Sequence, residues 1–287
     1  MPLAFEHVTY SYGSQVDGMG PALDDVSLTI ADDEFVGVIG HTGSGKSTFA
    51  EHTNGLKVPT SGRVLVDGIP TSDKKARREV RRRVGYVMQY PEYQLFAETV
   101  REDVGFGPRN LGQSDDEVDR SVREAIELVG LDYDEVADVS PFDLSGGQKR
   151  RVAMAGIIAM RPHILTVDEP MAGLDPQGRH EVLGILRELH RRGTTVIMVS
   201  HSMDDVAREA DHVVVLDHGR LADEGDPRTV FSHEERLHRI GLDVPRAAHV
   251  AHDLAERGMN LPGPCPLTLE DLARAIATRL GREGDAR

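Results

Sequence analysis

Phe35-Val36-Gly37-Val38-Ile39-Gly40-His41-Thr42-Gly43-Ser44-Gly45-Lys46-Ser47-Thr48 is the stretch on which the fold turns. An apolar strand predicted over Phe35 to Ile39 runs into a glycine-rich segment of the pattern G-x-x-x-x-G-K-[ST], and a helix is predicted to begin near Lys46. Glycines let backbone amides close around the β- and γ-phosphates of a nucleotide, and the helix N-terminus adds a favourable dipole. Lys46 neutralises phosphate charge, and Ser47 offers its hydroxyl to magnesium. A glycine-rich turn with an incidental lysine would have no use for the flanking strand and helix. Gly40 through Thr48 are therefore expected to hold ATP.

Working outward, Ala4 to Tyr10 and Val26 to Ile30 alternate like strands across a glycine-bearing turn, Gly13 to Gly20, which predicts an antiparallel edge. Residues 114 to 130 predict a helix, with Ser114 as N-cap and Glu117 three residues on. The strand-like runs Ile164 to Val167, Thr195 to Val199 and Val213 to Leu216 alternate with helical stretches around 177–191 and 203–209, which predicts a mostly parallel α/β core. Beyond about residue 232 the pattern changes to helices, Arg246 to Gly258 and a last one opening at Thr268.

After the apolar run Ile164-Leu165-Thr166-Val167 comes Asp168-Glu169, two carboxylates leaving a buried strand together. Asp168 is expected to serve magnesium through its water shell. Glu169 is expected to orient or deprotonate the attacking water, a role usually worth about 10²- to 10⁴-fold in rate.

The chain has 287 residues, 39% of them hydrophobic, and no low-complexity stretch, which excludes a disordered chain and allows one nucleotide-sized domain with a tail. Its apolar runs fall far below the roughly 18 residues of a membrane span, and Met1 to Tyr10 has no basic start followed by an apolar core, so a cytoplasmic protein is expected. Cys265 is the single cysteine, with no second thiol for a disulfide or zinc site. Net charge is −15 with five lysines (Lys46, Lys57, Lys74, Lys75, Lys149), so the surface is acidic and its cations are mostly arginine. That balance disfavours nucleic acid as a partner. It suits a salt-rich cytoplasm, although coding that favours arginine codons gives the same bias.

Leu144-Ser145-Gly146-Gly147-Gln148 follows the phosphate loop and precedes Val167-Asp168-Glu169-Pro170, Gly173-Leu174-Asp175-Pro176 and Ser200-His201. In that order the set resembles an ABC transporter nucleotide-binding subunit over residues 1–231. The resemblance implies a P-loop ATPase with a mostly parallel core sheet, an antiparallel β edge, an inserted helical subdomain near 90–160 and a small helical extension at 232–287. It further implies a head-to-tail pair, with the chain itself or a sister ATPase. Ser145, Gly146 and Gly147 of one subunit, with Gln148 beside them, then close over the γ-phosphate held by Lys46 of the other. Carried onto matching positions, Tyr12 stacks on adenine, Gln89 sits at magnesium and γ-phosphate, Asp175 bridges the subunits and His201 contacts the γ-phosphate. Magnesium would thus lie among Ser47, Gln89 and Asp168.

Gln89-Tyr90-Pro91-Glu92-Tyr93-Gln94-Leu95-Phe96, followed by Phe106-Gly107-Pro108-Arg109-Asn110-Leu111-Gly112, is similar to the ATPases of energy-coupling factor transporters. That likeness implies a protein on the cytoplasmic face of the membrane, a transmembrane scaffold gripped by Pro91 to Phe96, and a separate substrate-binding membrane subunit. It also implies a vitamin or a transition ion such as cobalt or nickel as cargo. Other importers, or an exporter, would share the ATPase motifs. Soluble ABC proteins that act on DNA or ribosomes usually carry coiled-coil insertions or two fused ATPase units, which these 287 residues lack.

The sequence departs from the commoner pattern at His41, Thr166 and Met171, none of which removes a catalytic atom. The basic run Lys74 to Arg83 reads as a solvated helix face. His249 and His252, at i and i+3 on the tail helix, could share a metal, but the sequence shows no third ligand, so they read as surface histidines.

Overall fold

The computed structural model describes residues 3–13 and 20–281; most of the predicted turn at 13–20 lies outside them. The first strands are β1 (Leu3–Tyr10), β2 (Leu23–Ile30) and β3 (Phe35–Ile39), followed by helix α1 (Lys46–Thr53), strands β4 (Ser61–Val66) and β5 (Ile69–Pro70), helix α2 (Arg77–Arg83) and strand β6 (Val84–Val87). A helical segment follows, with a 3-10 turn at Pro91–Gln94 and then α3 (Val100–Asn110), α4 (Asp115–Leu128), α5 (Tyr133–Val136) and α6 (Gly146–Ile158). The chain returns as β7 (Ile164–Asp168), α7 (Pro176–Arg191), β8 (Thr195–Val199), α8 (Met203–Glu209), β9 (His212–Asp217) and β10 (Arg220–Gly225). It closes with α9 (Pro227–Ser232), α10 (Glu234–Arg239), α11 (Arg246–Glu256) and α12 (Leu269–Arg279). None of these helices is long and apolar enough to cross a membrane.

Six strands form the core sheet in the order β10-β9-β3-β8-β7-β6, all parallel except the β10–β9 pair. Residues in β3, β7 and β8 are buried throughout, because helices and the second sheet cover both faces. The antiparallel strands read from the sequence as an edge make a sheet of their own, β2-β1-β4-β5. It packs over α1 through Phe5, whose ring stacks on Phe49 at 4.3 Å. Each buried phenylalanine contributes about 1.5–3 kcal/mol, so this contact seats the phosphate-loop helix between the two sheets.

The capping box expected on α4 is present: Glu117 accepts from the Ser114 backbone amide at 2.8 Å. Thr166 meets the Thr53 hydroxyl at 3.0 Å, so a departure from the commoner strand pattern links β7 to α1. On α2, Arg81 and Arg82 are exposed as a solvated face would be, whereas Arg83 pairs with Glu79 and Asp67, and Arg78 donates to the Asn110 carbonyl. In the tail, Leu237, Leu242, Val244 and Ala248 join the same apolar cluster as Val206 and Val230. Arg228 donates to the Cys265 carbonyl and pairs with Asp271, fastening α12 back onto α9.

Candidate nucleotide site

The loop between β3 and α1 is shaped by two glycines. A Cβ on Gly40 would lie 2.3 Å from Ser44 Oγ and 2.5 Å from the Leu216 carbonyl oxygen. Gly45 has φ +104, and its Cβ would fall 2.4 Å from the Ala22 carbonyl oxygen. Neither position admits a side chain, so the backbone can wrap tightly ahead of α1. Lys46 Nζ donates to the carbonyls of Gly40 at 2.6 Å and His41 at 3.0 Å, which holds the ammonium across the loop. Burial pushes the Lys46 pKa down, against the pull of the Glu169 and Asp168 carboxylates. His41 Nε2 lies 3.0 Å from Asp217 Oδ1 at the end of β9.

The β7–β8 register pairs Asp168 with Val199, so Glu169 and His201 leave neighbouring strand ends. The Glu169 amide donates to the Val199 carbonyl at 3.0 Å, and Glu169 Oε2 lies 2.7 Å from His201 Nδ1. Glu169 has φ +48, a conformation uncommon for a side-chain-bearing residue and characteristic of functional sites. Asp168 is buried, and its Oδ1 has no hydrogen-bond partner among the described residues. Burial raises its pKa, opposed by the Ser47 hydroxyl, the Lys46 ammonium and the Tyr86 phenol. An orphaned carboxylate oxygen beside Ser47 is a donor set that suits a hard divalent cation.

Gly40, His41, Thr42 and Lys46 share one cleft of about 560 Å³ with Gln89, Glu169 and His201. Ser145, Gly146, Gly147 and Asp175 line a different cleft, of about 510 Å³. Gln148 is not on its wall: it accepts from the Ser145 amide at 3.0 Å and so caps α6. Asp175 likewise caps α7, accepting from Gly178 at 2.7 Å. Tyr12 stands beside α1, its hydroxyl 3.0 Å from Thr48 Oγ1 and its largely exposed ring flanked by Tyr10, edge-on at 5.0 Å, and by Lys57, 4.8 Å from its centroid.

Sequence reasoning passed over three features of these sites. Arg150 is buried between Glu92 and the carbonyls of Pro170 and Ala172. Within the run Lys149-Arg150-Arg151 nothing marks it off from a surface arginine. Tyr86, whose phenol burial and the Asp168 carboxylate push far up, sits under the cation donors. Gly241, Leu242 and Asp243, between α10 and α11, complete the wall of the nucleotide cleft.

A protein-family model described as ABC transporter matches residues 23–172. The energy-coupling factor transporter ATP-binding protein EcfA2 of Symbiobacterium thermophilum is 54% identical over 286 residues, covering 99% of each chain. Its counterpart from Caldanaerobacter subterraneus is 50% identical over 278 residues, covering 96% of each. Among solved structures, cbiO1 of Clostridium perfringens, part of the ABC transporter complex cbiONQ, superposes with a TM-score of 0.72 at 35% identity, covering 87% of this chain and 98% of that one. A dimeric ATP-binding cassette in a post-hydrolysis state, bound to ADP and Pi, gives 0.70 at 29% identity, covering 78% and 98%.

Proposed function

The chain belongs to the ABC transporter family, among the ATP-binding proteins of energy-coupling factor transporters, and from that premise we propose how its two clefts work together. It binds and hydrolyses ATP to energise a membrane importer. The observation that carries the reading is the separation of the clefts: Lys46, Gln89, Glu169 and His201 share one, whereas Ser145, Gly146, Gly147 and Asp175 share the other. Neither cleft alone surrounds a triphosphate. A head-to-tail pair brings the signature cleft of one chain over the phosphate loop of the other, so hydrolysis takes two chains, identical or sister.

In that pair the Gly40–Thr48 loop cradles the phosphates, Lys46 neutralises them, and Tyr12 supplies a ring for adenine. Ser47, Gln89 and Asp168 would hold magnesium, which when bound supplies charge neutralisation at the β- and γ-phosphates. Glu169 takes the proton of the attacking water at Oε2, and His201 fixes that oxygen through Nδ1 while reaching for the γ-phosphate. Asp175 stands where the two subunits meet, and Gln148 holds Ser145 at the tip of α6.

The division at residue 231 assigns the catalytic work to 1–231, with the helical subdomain near 90–160, and leaves 232–287 as an extension. Transport coupling falls to a groove of about 650 Å³ walled by Arg77, Arg81, Leu95, Phe96, Phe106 and Met160. Its mix of guanidinium and exposed aromatic groups suits a transmembrane scaffold subunit docking at the cytoplasmic face of the membrane. A separate membrane subunit selects the cargo, a vitamin or a transition ion such as cobalt. The comparison with cbiO1, itself part of a multi-component transporter complex, supports this reading.

The test is phosphate release and particle mass with magnesium-ATP, for wild type and Glu169→Gln. Wild-type turnover with a trapped mutant dimer is the expected result. A mutant that turns over normally removes Glu169 from its role. A wild type that stays monomeric and inert in the presence of its membrane partners and a sister ATPase removes the paired-cleft mechanism.

A further inference from the structure

Glu234 opens α10 with its side chain almost wholly buried, yet three imidazoles face its carboxylate. His249 Nδ1 lies 2.7 Å and His238 Nε2 3.7 Å from Oε1, and His252 Nδ1 lies 3.4 Å from Oε2. Glu234 and His238 are an i,i+4 pair on α10, and His249 on α11 faces them, with His252 one turn further on against the second carboxylate oxygen. The ligand atoms of Glu234, His238 and His249 lie within 4.8 Å of one another. In a tetrahedral zinc site with bonds of about 2.0–2.1 Å, donor atoms stand about 3.3 to 3.4 Å apart. The separations to Glu234 bracket that value.

We propose that Glu234, His238 and His249 form a binding site for a transition-metal dication of imidazole preference, such as Zn²⁺, which staples α10 to α11 with its fourth position open to solvent. Two imidazoles and one carboxylate are a donor set that favours Zn²⁺ and its neighbours over Mg²⁺ or Ca²⁺. Each histidine is partly exposed, so the ion can enter from solvent. Asp243 and Glu256 add negative charge, 3.6 Å from His238 and 3.6 Å from His252. Of the nearby cations, Arg236 is already paired with Asp223, which leaves Arg239 as the opposing charge. The site reaches the nucleotide through Gly241 to Asp243, the corner between its two helices, which walls the ATP cleft. A second cluster, His41, Asp217 and His218, also places three donors together. There His41 is engaged at both nitrogens, by Thr42 and by Asp217.

Tag-free full-length protein, stripped with chelator and returned to chelator-free buffer, is titrated with Zn²⁺ by calorimetry. One Zn²⁺ per chain is expected, undisturbed by millimolar Mg²⁺. His238→Ala and His249→Ala, both at partly exposed positions, should weaken binding by more than the roughly 10- to 100-fold that losing a mere orienting neighbour costs. His218→Ala should leave it intact. Amide hydrogen exchange over residues 240–244 should slow with Zn²⁺ in wild type and not in His249→Ala. Absence of saturable uptake, unchanged affinity in His249→Ala, or loss of binding in His218→Ala would each overturn the site. Zn²⁺ that binds without slowing exchange at 240–244 overturns the link to the cleft.

Discussion

The guanidinium of Arg150 grips both carboxylate oxygens of Glu92, Nε at 3.0 Å and Nη2 at 2.8 Å, while its Nη1 donates to the Ala172 carbonyl at 2.6 Å. Arg150 stands one turn into the helix opened by Ser145. Glu92 lies in the 3-10 turn after Gln89, and Ala172 lies three residues past Glu169. One buried side chain thus joins the signature helix, the segment assigned to the membrane scaffold and the strand end that carries the water-activating carboxylate.

Removing Arg150 strands a mostly buried carboxylate and two carbonyls. Arg150→Ala should lose about 3–5 kcal/mol of stability, measured by urea denaturation, as expected when one partner of a buried ion pair is deleted. Arg150→Lys should recover only part of it, because an ammonium cannot reproduce the forked contact. A loss under about 1 kcal/mol in Arg150→Ala would contradict the network.

Gly45→Ala should cripple the phosphate loop. The positive φ alone costs roughly 1–3 kcal/mol for a non-glycine residue, and the new methyl meets the Ala22 carbonyl. Equilibrium nucleotide titration should show no saturable ATP binding, accompanied by a lower melting temperature. Gly146→Ala, where an added Cβ meets nothing within 4 Å, should keep the melting temperature of wild type.

For His201→Ala, kcat should fall by roughly two orders of magnitude, the low end of what a proton-transfer group contributes. The affinity for nucleotide should change far less, since Lys46 and the loop amides remain. Single-turnover hydrolysis against equilibrium ATP binding separates the two. Equal losses in both would mean that His201 serves binding and not the orientation of Glu169.

His52 gives a pH dependence with a definite sign. It is fully buried on α1, with Nδ1 2.6 Å from the Thr48 carbonyl, Nε2 unpartnered among the described residues and Tyr10 edge-on at 4.9 Å. Burial pushes its pKa below the ordinary 6.5, and the Lys57 ammonium pushes the same way against the Thr48 carbonyl. Below pH 6.5 the unfolded chain therefore binds a proton that the folded chain resists. Stability present above 6.5 is lost as pH falls from there through the folded value, no more steeply than about 1.4 kcal/mol per pH unit. Comparing urea midpoints from pH 7.5 to 5 in wild type and His52→Gln should show the mutant missing this contribution.

Local patterns in the sequence carried much of this architecture. The Phe35–Ile39 run, the glycine spacing, the Ser114–Glu117 box and the largely apolar strand before Asp168 each report on neighbours a few residues away. What escaped depends on distance along the chain. Glu92 and Arg150 are 58 residues apart, and neither carries a mark that distinguishes it from a solvated charge. Likewise the partners of His249 could not be read from the sequence around it, because Glu234 and His238 come from another helix. The antiparallel strands alternate as an edge would, and only the pairing of β1 with β4 makes them a separate sheet.

Placing the phosphate loop and the signature on different walls of one chain has a genetic consequence when both mates of the proposed pair are copies of this chain. A chain defective in Lys46 still lends a sound Ser145–Gly147 wall to its mate, and a chain defective in the signature still lends a sound phosphate loop. Co-expressed, the two single mutants complement in trans and rebuild one working site per pair. A chain carrying both lesions spoils both sites of any pair it enters, so it behaves as a dominant poison even when a normal copy is present.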